Sequence, residues 1–95
     1  MDFGVAGFEW DEGNRAKCCK HGLSLSEIET VFSGRPRIAP DLKHGRVEQR
    51  FVAIGPTSEG RLAFVVFTWR GALIRPLSTR YMHAKEIKRY ETESS

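Results

Sequence analysis

Three short apolar runs follow one another closely in the second half of the chain. They cover residues 50–55, 62–69 and 72–78, and short glycine-bearing connections separate them. This arrangement is typical of an antiparallel meander. Residues 62–69 are apolar at nearly every position, which indicates a central strand with both faces covered. We expect helices on one face of this strand and a partner or a concave site on the other.

The first half of the chain predicts a helix that begins after Asp11, because an aspartate can accept a hydrogen bond from the free N–H groups of a first helical turn. The helix should run to about His21, where Gly22 provides the usual stop. The apolar stripe that we expect to be buried contains Ala16, Cys19 and Leu23.

A capping box predicts a second helix. Ser24 and Glu27 stand three positions apart, so each side chain can satisfy a backbone N–H at the helix start. The helix should bury Leu25, Ile28 and Phe32 and end at residues 33–34.

The remaining elements complete an α+β fold. Residues 7–10 read as a first strand, and residues 37–39, bracketed by Pro36 and Pro40, can pair only at a sheet edge. A final helix should cover residues about 82–92. The predicted order is β-α-α-β-β-β-β-α, with a curved antiparallel sheet in a single domain of residues 1–95. Residues 1–7 read as a loose leader and residues 92–95 as a frayed tail.

Composition narrows the class of protein. The chain has 95 residues, of which 40% are hydrophobic and 28% charged, as in an ordinary globular domain. It shows neither an apolar run of about 20 residues nor a signal-peptide pattern, so we expect a cytoplasmic protein without a membrane contact.

Cys18 and Cys19 are adjacent and the histidines are scattered, which predicts reduced thiols and no metal site. We expect no cofactor.

The charge is unevenly distributed. The formal net charge is +3, yet residues 61–90 contain seven basic residues and one acidic residue, Glu86. A basic segment on a nearly neutral protein suggests a polyanionic partner such as nucleic acid. A solvated basic surface without function is the alternative.

The sequence contains several specific motifs, which are Trp10-Asp11, Lys20-His21-Gly22, the run from Arg50 to Gly55, Arg70-Gly71, and Ser78-x-Arg80 followed by Glu86 and Tyr90. With these motifs the chain resembles the BrnT family of toxins from bacterial type II toxin–antitoxin systems. The resemblance extends from Phe8 to Glu91. The chain departs from the family pattern at Pro76, which should cost a ladder hydrogen bond and bend the strand, and at Tyr81 and His83.

The resemblance implies a fold similar to RelE-type ribonucleases and an activity that arrests growth by cleaving RNA. It also implies neutralisation by a cognate, BrnA-like antitoxin in what we expect to be a heterotetramer. Operator DNA would be contacted only through that antitoxin.

RNA cleavage without a metal requires three kinds of group. A base accepts the proton of the 2′-hydroxyl, an acid gives a proton to the departing 5′-oxygen, and cations stabilise the negative charge of the phosphorane. The candidates for proton transfer are His21, His44 and Glu48. For His21, which should end a helix, a purely structural capping role is equally plausible. For the cations we select Arg70 and Arg80, since arginine stays charged and presents several donors in a plane.

Further basic residues should hold the RNA strand. These candidates are Lys20, Arg50, Arg61 and Arg75. Trp10 and Trp69 could stack on bases, but we assign both to the core. A non-catalytic module that binds nucleic acid or a protein partner is the alternative function, because dispersed charges suffice for binding whereas catalysis requires convergent groups.

Overall fold

A computed structural model of the chain describes residues 6–41 and 48–93. Within these ranges the elements are β1 (Gly7–Phe8), α1 (Glu12–Cys19), α2 (Leu25–Ser33), β2 (Arg37–Pro40), β3 (Phe51–Pro56), β4 (Leu62–Arg70), β5 (Leu73–Tyr81) and α3 (Ala84–Glu93). The α+β class and the predicted order of elements are confirmed.

The strands form one sheet in the order β1-β5-β4-β3-β2, so β4 is central as predicted. Pairings among β2, β3, β4 and β5 are antiparallel, whereas the short β1 pairs parallel to β5. The sheet is therefore mixed. The strand between the two prolines, β2, lies at an edge, where a residue without an N–H is tolerated.

Both predicted helix starts are confirmed. Asp11 caps α1 in a capping box with Asn14, and Ser24 caps α2 in a capping box with Glu27. Helix α1 ends at Cys19, and Gly22 follows with φ of +99°, a conformation that disfavours side chains with a Cβ. The two helices are thus set by local hydrogen bonds at their first turns.

Of the predicted buried stripe, Leu23 is confirmed at 1% exposed, but the two members on α1 itself are wrong. Ala16 and Cys19 are exposed, whereas Cys18 is fully buried and Asn14 is only 3% exposed. The physical reason is that the polar Asn14 occupies a core-facing position, where its side chain satisfies buried backbone groups. A helix with so few apolar residues does not define its buried face by hydrophobicity.

The core lies between the two N-terminal helices and one face of the sheet. Phe32 of α2 contacts Phe67 of β4 edge-on, with ring centroids 5.1 Å apart. Trp10 and Trp69 pack against this core while remaining half-buried, in line with their expected role. On the opposite face of β4, Phe64 and Val66 are only half-buried, so this face has room for further contacts.

A β-bulge interrupts β5. Pro76 pairs with Phe67 and Ser78 pairs with Val66, which leaves Leu77 as an extra residue. The predicted irregularity at Pro76 is therefore present. The strand also continues past its predicted end at Ser78 to Tyr81.

The bulge changes which side chains share a face. In a regular strand, residues five positions apart point to opposite faces. Here Arg75 pairs with Thr68 and Arg80 pairs with Phe64, and these two partners lie four positions apart on β4. Arg75 and Arg80 consequently lie on the same face, the one opposite α1 and α2.

Helix α3 lies over the far end of that face and has no buried residue. It is attached by polar contacts from the sheet to Glu86, Tyr90 and Glu93. None of the helices in the two described ranges is long and apolar enough to cross a membrane.

Candidate nucleic-acid interface

Three of the predicted arginines come together on the sheet face opposite α1 and α2. Arg70 ends β4, Arg75 lies on β5 beside Thr68, and Arg50 immediately precedes β3. We call Arg50, Arg70 and Arg75, with their carboxylate neighbours Glu9, Asp11 and Glu48, the arginine cluster. It joins residues from both halves of the chain.

Carboxylates hold two of these arginines. Nη1 of Arg75 lies 2.9 Å from Oδ2 of Asp11 and 3.1 Å from Oε1 of Glu9. Arg70 donates to Glu48, and its Nε lies 3.6 Å from Oε1 of Glu9. The cluster thus contains three guanidinium groups and three carboxylates. The carboxylates orient Arg70 and Arg75 and balance their charge, whereas no ion pair among the described residues holds Arg50.

The ion pairs shift the pKa values of their members. A hydrogen bond from Arg75 lowers the pKa of Asp11, and a hydrogen bond from Arg70 lowers the pKa of Glu48. The pKa of Arg75 is raised, chiefly by its hydrogen bond to Asp11. Glu48 is therefore ionised at neutral pH. As a proton acceptor it is weakened for as long as Arg70 remains its partner.

Arg50 differs from the other two arginines. Its Nε is buried and finds no hydrogen-bond partner within residues 6–41 and 48–93. The side chain borders a cavity of about 300 Å³ between α1 and the bulged part of β5. Lys17, Arg75 and Ser78 line the same cavity.

Arg80 lies at the other end of the sheet face. Its partner on β4, Phe64, is four positions from the partner of Arg75, a separation of roughly 13 Å along the strand. Two hydrogen bonds of 2.7 and 2.9 Å join its guanidinium to Glu86, and the group also stacks on the Phe64 ring. These contacts attach α3 to the sheet.

The Arg80 pair strongly stabilises the ionised form of Glu86. The two hydrogen bonds from Arg80, followed by one from the backbone N–H of His83, lower the pKa of Glu86 to about 2. Arg80 and Glu86 therefore remain a charged pair over the physiological pH range.

Arg61 lies apart from both the arginine cluster and Arg80. Its guanidinium stacks over the Tyr81 ring at 3.5 Å from the ring centroid, and the Tyr81 hydroxyl donates to Glu27. Burial, followed by that hydrogen bond, raises the pKa of Tyr81. Arg61 thus covers an aromatic ring instead of joining the arginine cluster.

The remaining candidates are not part of the cluster. Lys20 and His21 are exposed just after the end of α1. His44 lies outside the described residues. No group of three or more histidine, cysteine, aspartate and glutamate side chains within the described ranges is arranged to hold a metal ion.

Sequence reasoning missed several members of the site. Glu9 and Asp11 orient Arg75, while Asn14 donates to the carbonyl of Pro76 beside the bulge. Lys17 lines the cavity next to Arg50. The one available signal was Pro76, which interrupts the ladder at the point where these groups meet.

A family model matches most of the chain. Residues 10–86, more than three quarters of the chain, match the model described as the ribonuclease toxin BrnT of type II toxin–antitoxin systems. The chain belongs to the BrnT family. No curated protein gives a significant match.

Membership in the BrnT family identifies the chain as a ribonuclease toxin with an RNA substrate and an antitoxin partner. The matched range includes Arg50, Arg70 and Arg75 and ends at Glu86, the partner of Arg80. Glu9, one of the carboxylates that hold Arg75, lies just before it.

Proposed function

We propose that this BrnT protein cleaves RNA without a metal ion, at the arginine cluster. The observation that carries the proposal is the convergence of Arg70 and Arg75 with ionised carboxylates on one sheet face. Convergent cations and carboxylates are what attack of a 2′-hydroxyl on the adjacent phosphate requires. We place the enzyme in the cytoplasm, where its RNA substrate is found.

The cations of the cluster would stabilise the phosphorane. A phosphate that binds Arg70 competes with Glu48 for the same guanidinium donors. Once Glu48 loses this partner, its pKa rises toward the ordinary value and it becomes a better proton acceptor. In this mechanism substrate binding activates the base.

The other candidates receive different roles. The Arg80 guanidinium already contacts Glu86 and Phe64. These contacts support a role for Arg80 in attaching α3 to the sheet, and not in binding the reacting phosphate. His44 precedes Glu48 by four positions and stays a candidate for the acid, as does His21. Lys20 and Arg61 would contact RNA outside the cluster.

Incubation of the purified protein with single-stranded RNA and EDTA, without ribosomes, tests the proposal. We expect cleavage products that end in a 2′,3′-cyclic phosphate, because the 2′-hydroxyl is the nucleophile. Intact RNA, or cleavage that EDTA abolishes, would contradict the metal-independent mechanism.

One observation favours a non-catalytic binding module as the second candidate. Ion pairs within the protein already engage Arg70 and Arg75, as in a structural network. Induced expression distinguishes the two functions. A ribonuclease arrests growth and fragments cellular RNA, and the Arg70→Ala variant does neither, whereas a binding module leaves cellular RNA intact with and without Arg70.

We also propose that a BrnA-like antitoxin neutralises the enzyme within a heterotetramer and provides all contact with operator DNA. The half-buried Phe64 and Val66 support a partner on the open face of the sheet. Light scattering of the co-expressed pair should give the mass of two chains of each kind. A non-toxic monomer without a partner would contradict this assembly.

A further inference from the structure

We propose that the cavity between α1 and the bulged part of β5 binds a phosphate group of the RNA backbone through Arg50, Lys17 and Ser78. This inference rests on the proposed ribonuclease function and adds a defined subsite to it. Lys17 and Ser78 gain a role that neither the sequence motifs nor the ion pairs of the cluster assign to them.

The cavity has the composition of an anion site. Its volume is about 300 Å³, and its lining brings together the cationic side chains of Lys17, Arg50 and Arg75 with the hydroxyl of Ser78. Arg75 is already held by Asp11 and Glu9. Lys17 and Arg50 form no ion pair of their own with any of the described residues, and Arg50 acts on Glu48 only through its charge, so the donors of both side chains are left to a ligand.

The second observation is the buried Nε of Arg50. It is the only side-chain polar atom in the described ranges that is buried and has no hydrogen-bond partner. A buried donor without an acceptor costs free energy, and native proteins retain one where a ligand or an ordered water completes the site. An anion in the adjacent cavity would supply the missing acceptor.

The arrangement of the donors favours phosphate over a carboxylate. Lys17 approaches from a helix, Arg50 from the start of β3 and Ser78 from β5. A tetrahedral phosphate presents oxygens toward all three directions, whereas the two oxygens of a carboxylate lie in one plane. The bulge at Leu77 contributes by setting the direction of Ser78.

The first experiment measures phosphate binding directly. Inorganic phosphate is titrated into the ¹⁵N-labelled protein at constant ionic strength, with chloride as the balancing anion. We expect saturable shifts of the amide signals of residues 13–17 and 77–78, and at least a tenfold weaker affinity in Arg50→Met. Lys88→Gln, an exposed change on α3, is the matched control and should bind phosphate like the parent.

Thermal melting provides an independent readout. In phosphate-free buffer, Arg50→Met should melt at the same temperature as the parent or higher, because the change removes a buried donor without an acceptor. Added phosphate should raise the Tm of the parent and of Lys88→Gln, but not that of Arg50→Met. A lower Tm of Arg50→Met in phosphate-free buffer would indicate a structural arginine and overturn the proposal.

RNA binding completes the test. Arg50→Met should weaken binding of single-stranded RNA and make the slope of log K against log salt shallower by about 0.7, the value for one lost phosphate contact. Unchanged affinity and slope would overturn the subsite. The subsite would also be overturned if phosphate shifted no amide signals of the residues around the cavity. The same holds if acetate or an acidic peptide bound there as tightly as phosphate.

The outcomes separate the subsite from the enzyme activity. If the parent binds phosphate in the cavity but leaves RNA intact, the ribonuclease proposal fails and the anion site stands. If the parent cleaves RNA and Arg50→Met binds both phosphate and RNA normally, the activity stands and the subsite fails.

Discussion

Single arginines of this protein have different surroundings, although they look alike in the sequence. Arg70 and Arg75 contact carboxylates of the cluster, Arg80 contacts Glu86 on α3, and Arg61 covers Tyr81. Their roles therefore follow from their neighbours. Substitutions should separate arginines that stabilise charge in the reaction from those that hold the fold together.

Arg70→Ala should lower the cleavage rate at saturating RNA by a factor of about a hundred or more, the loss typical of one preorganised donor to a developing charge. Arg80→Ala should instead lower the Tm, because α3 loses its bidentate tie to the sheet. Single-turnover cleavage well below each Tm measures the rates, with Lys88→Ala as the control. Equal rate losses in the two arginine variants would show that Arg80 also acts on the phosphate.

The surroundings of some single residues could be predicted from the sequence, and those of others could not. The caps Asp11 and Ser24 were predictable, because the donors and acceptors of a first helical turn lie within four residues. The burial of Cys18 and exposure of Cys19 were not, since their side chains have the same hydrophobicity. The carboxylate partners of Arg75 lie more than 60 residues away in the chain and could not be predicted from spacing.

The elements are joined by a few polar contacts at their ends. Asn14 of α1 donates to the carbonyls of Glu9 and Pro76, both at 2.9 Å, and accepts from the N–H of Asp11. This one side chain connects α1, the end of β1 and the bulged part of β5. The element order was predictable from the apolar runs and caps, but such junctions require the three-dimensional arrangement.

Asn14→Ala should reduce the free energy of unfolding by about 1 to 3 kcal/mol, because it removes the side-chain donor to the carbonyl of Pro76 in a buried hydrogen bond, and the partly buried bond to the carbonyl of Glu9 adds little to this. Urea denaturation measures this loss. The neighbouring exposed substitution Arg15→Ala should change stability by less than about 0.5 kcal/mol. Similar values for the two variants would contradict the role of Asn14 as a junction.

The attachment of α3 should depend on pH. Glu86 has a pKa of about 2 in the folded protein and an ordinary value of 4.5, so the folded state favours its ionised form. The resulting stabilisation is fully present above pH 4.5 and disappears as the pH falls toward 2.

Glu86→Gln should therefore be less stable than the parent at pH 7, and the difference should shrink between pH 5 and pH 2. Melting curves recorded across this range provide the measurement. Glu12→Gln, on the exposed face of α1, is the control. A difference in stability that stays constant from pH 7 to pH 2 would contradict the pairing of Glu86 with Arg80.

At the scale of the whole molecule, the basic segment of residues 61–90 does not form one surface. Its arginines occur in the cluster, beside α3 and over Tyr81, and most of them have carboxylate or aromatic partners. The sequence correctly indicated a surplus of positive charge. The separation of this charge into three places follows from the strand register, which cannot be obtained from a count of charged residues.

RNA binding should accordingly show a modest salt dependence. Five phosphate contacts, from Lys20, Arg50, Arg61, Arg70 and Arg75, correspond to a slope of log K against log salt of about −3.5 for a single strand. Engagement of all seven basic residues of the segment together with Lys20 and Arg50 would give about −6.3. Fluorescence anisotropy with the slowly cleaving Arg70→Ala variant, which lacks one contact, should give a slope of about −2.8, and a slope near −5.6 would contradict this set of contacts.

The extra residue at Leu77 is accommodated without a change in register on either side of it. Without Leu77, Pro76 and Ser78 would follow each other opposite Phe67 and Val66, and every later side chain of β5 would keep its partner and its face. Thr79 would remain buried with its hydroxyl beside the carbonyl of Cys18. The change would fall on the local bend and twist of the strand, which a bulge produces. Chains of this family that lack the extra residue should therefore keep the fold but direct the side chain at the position of Ser78 differently.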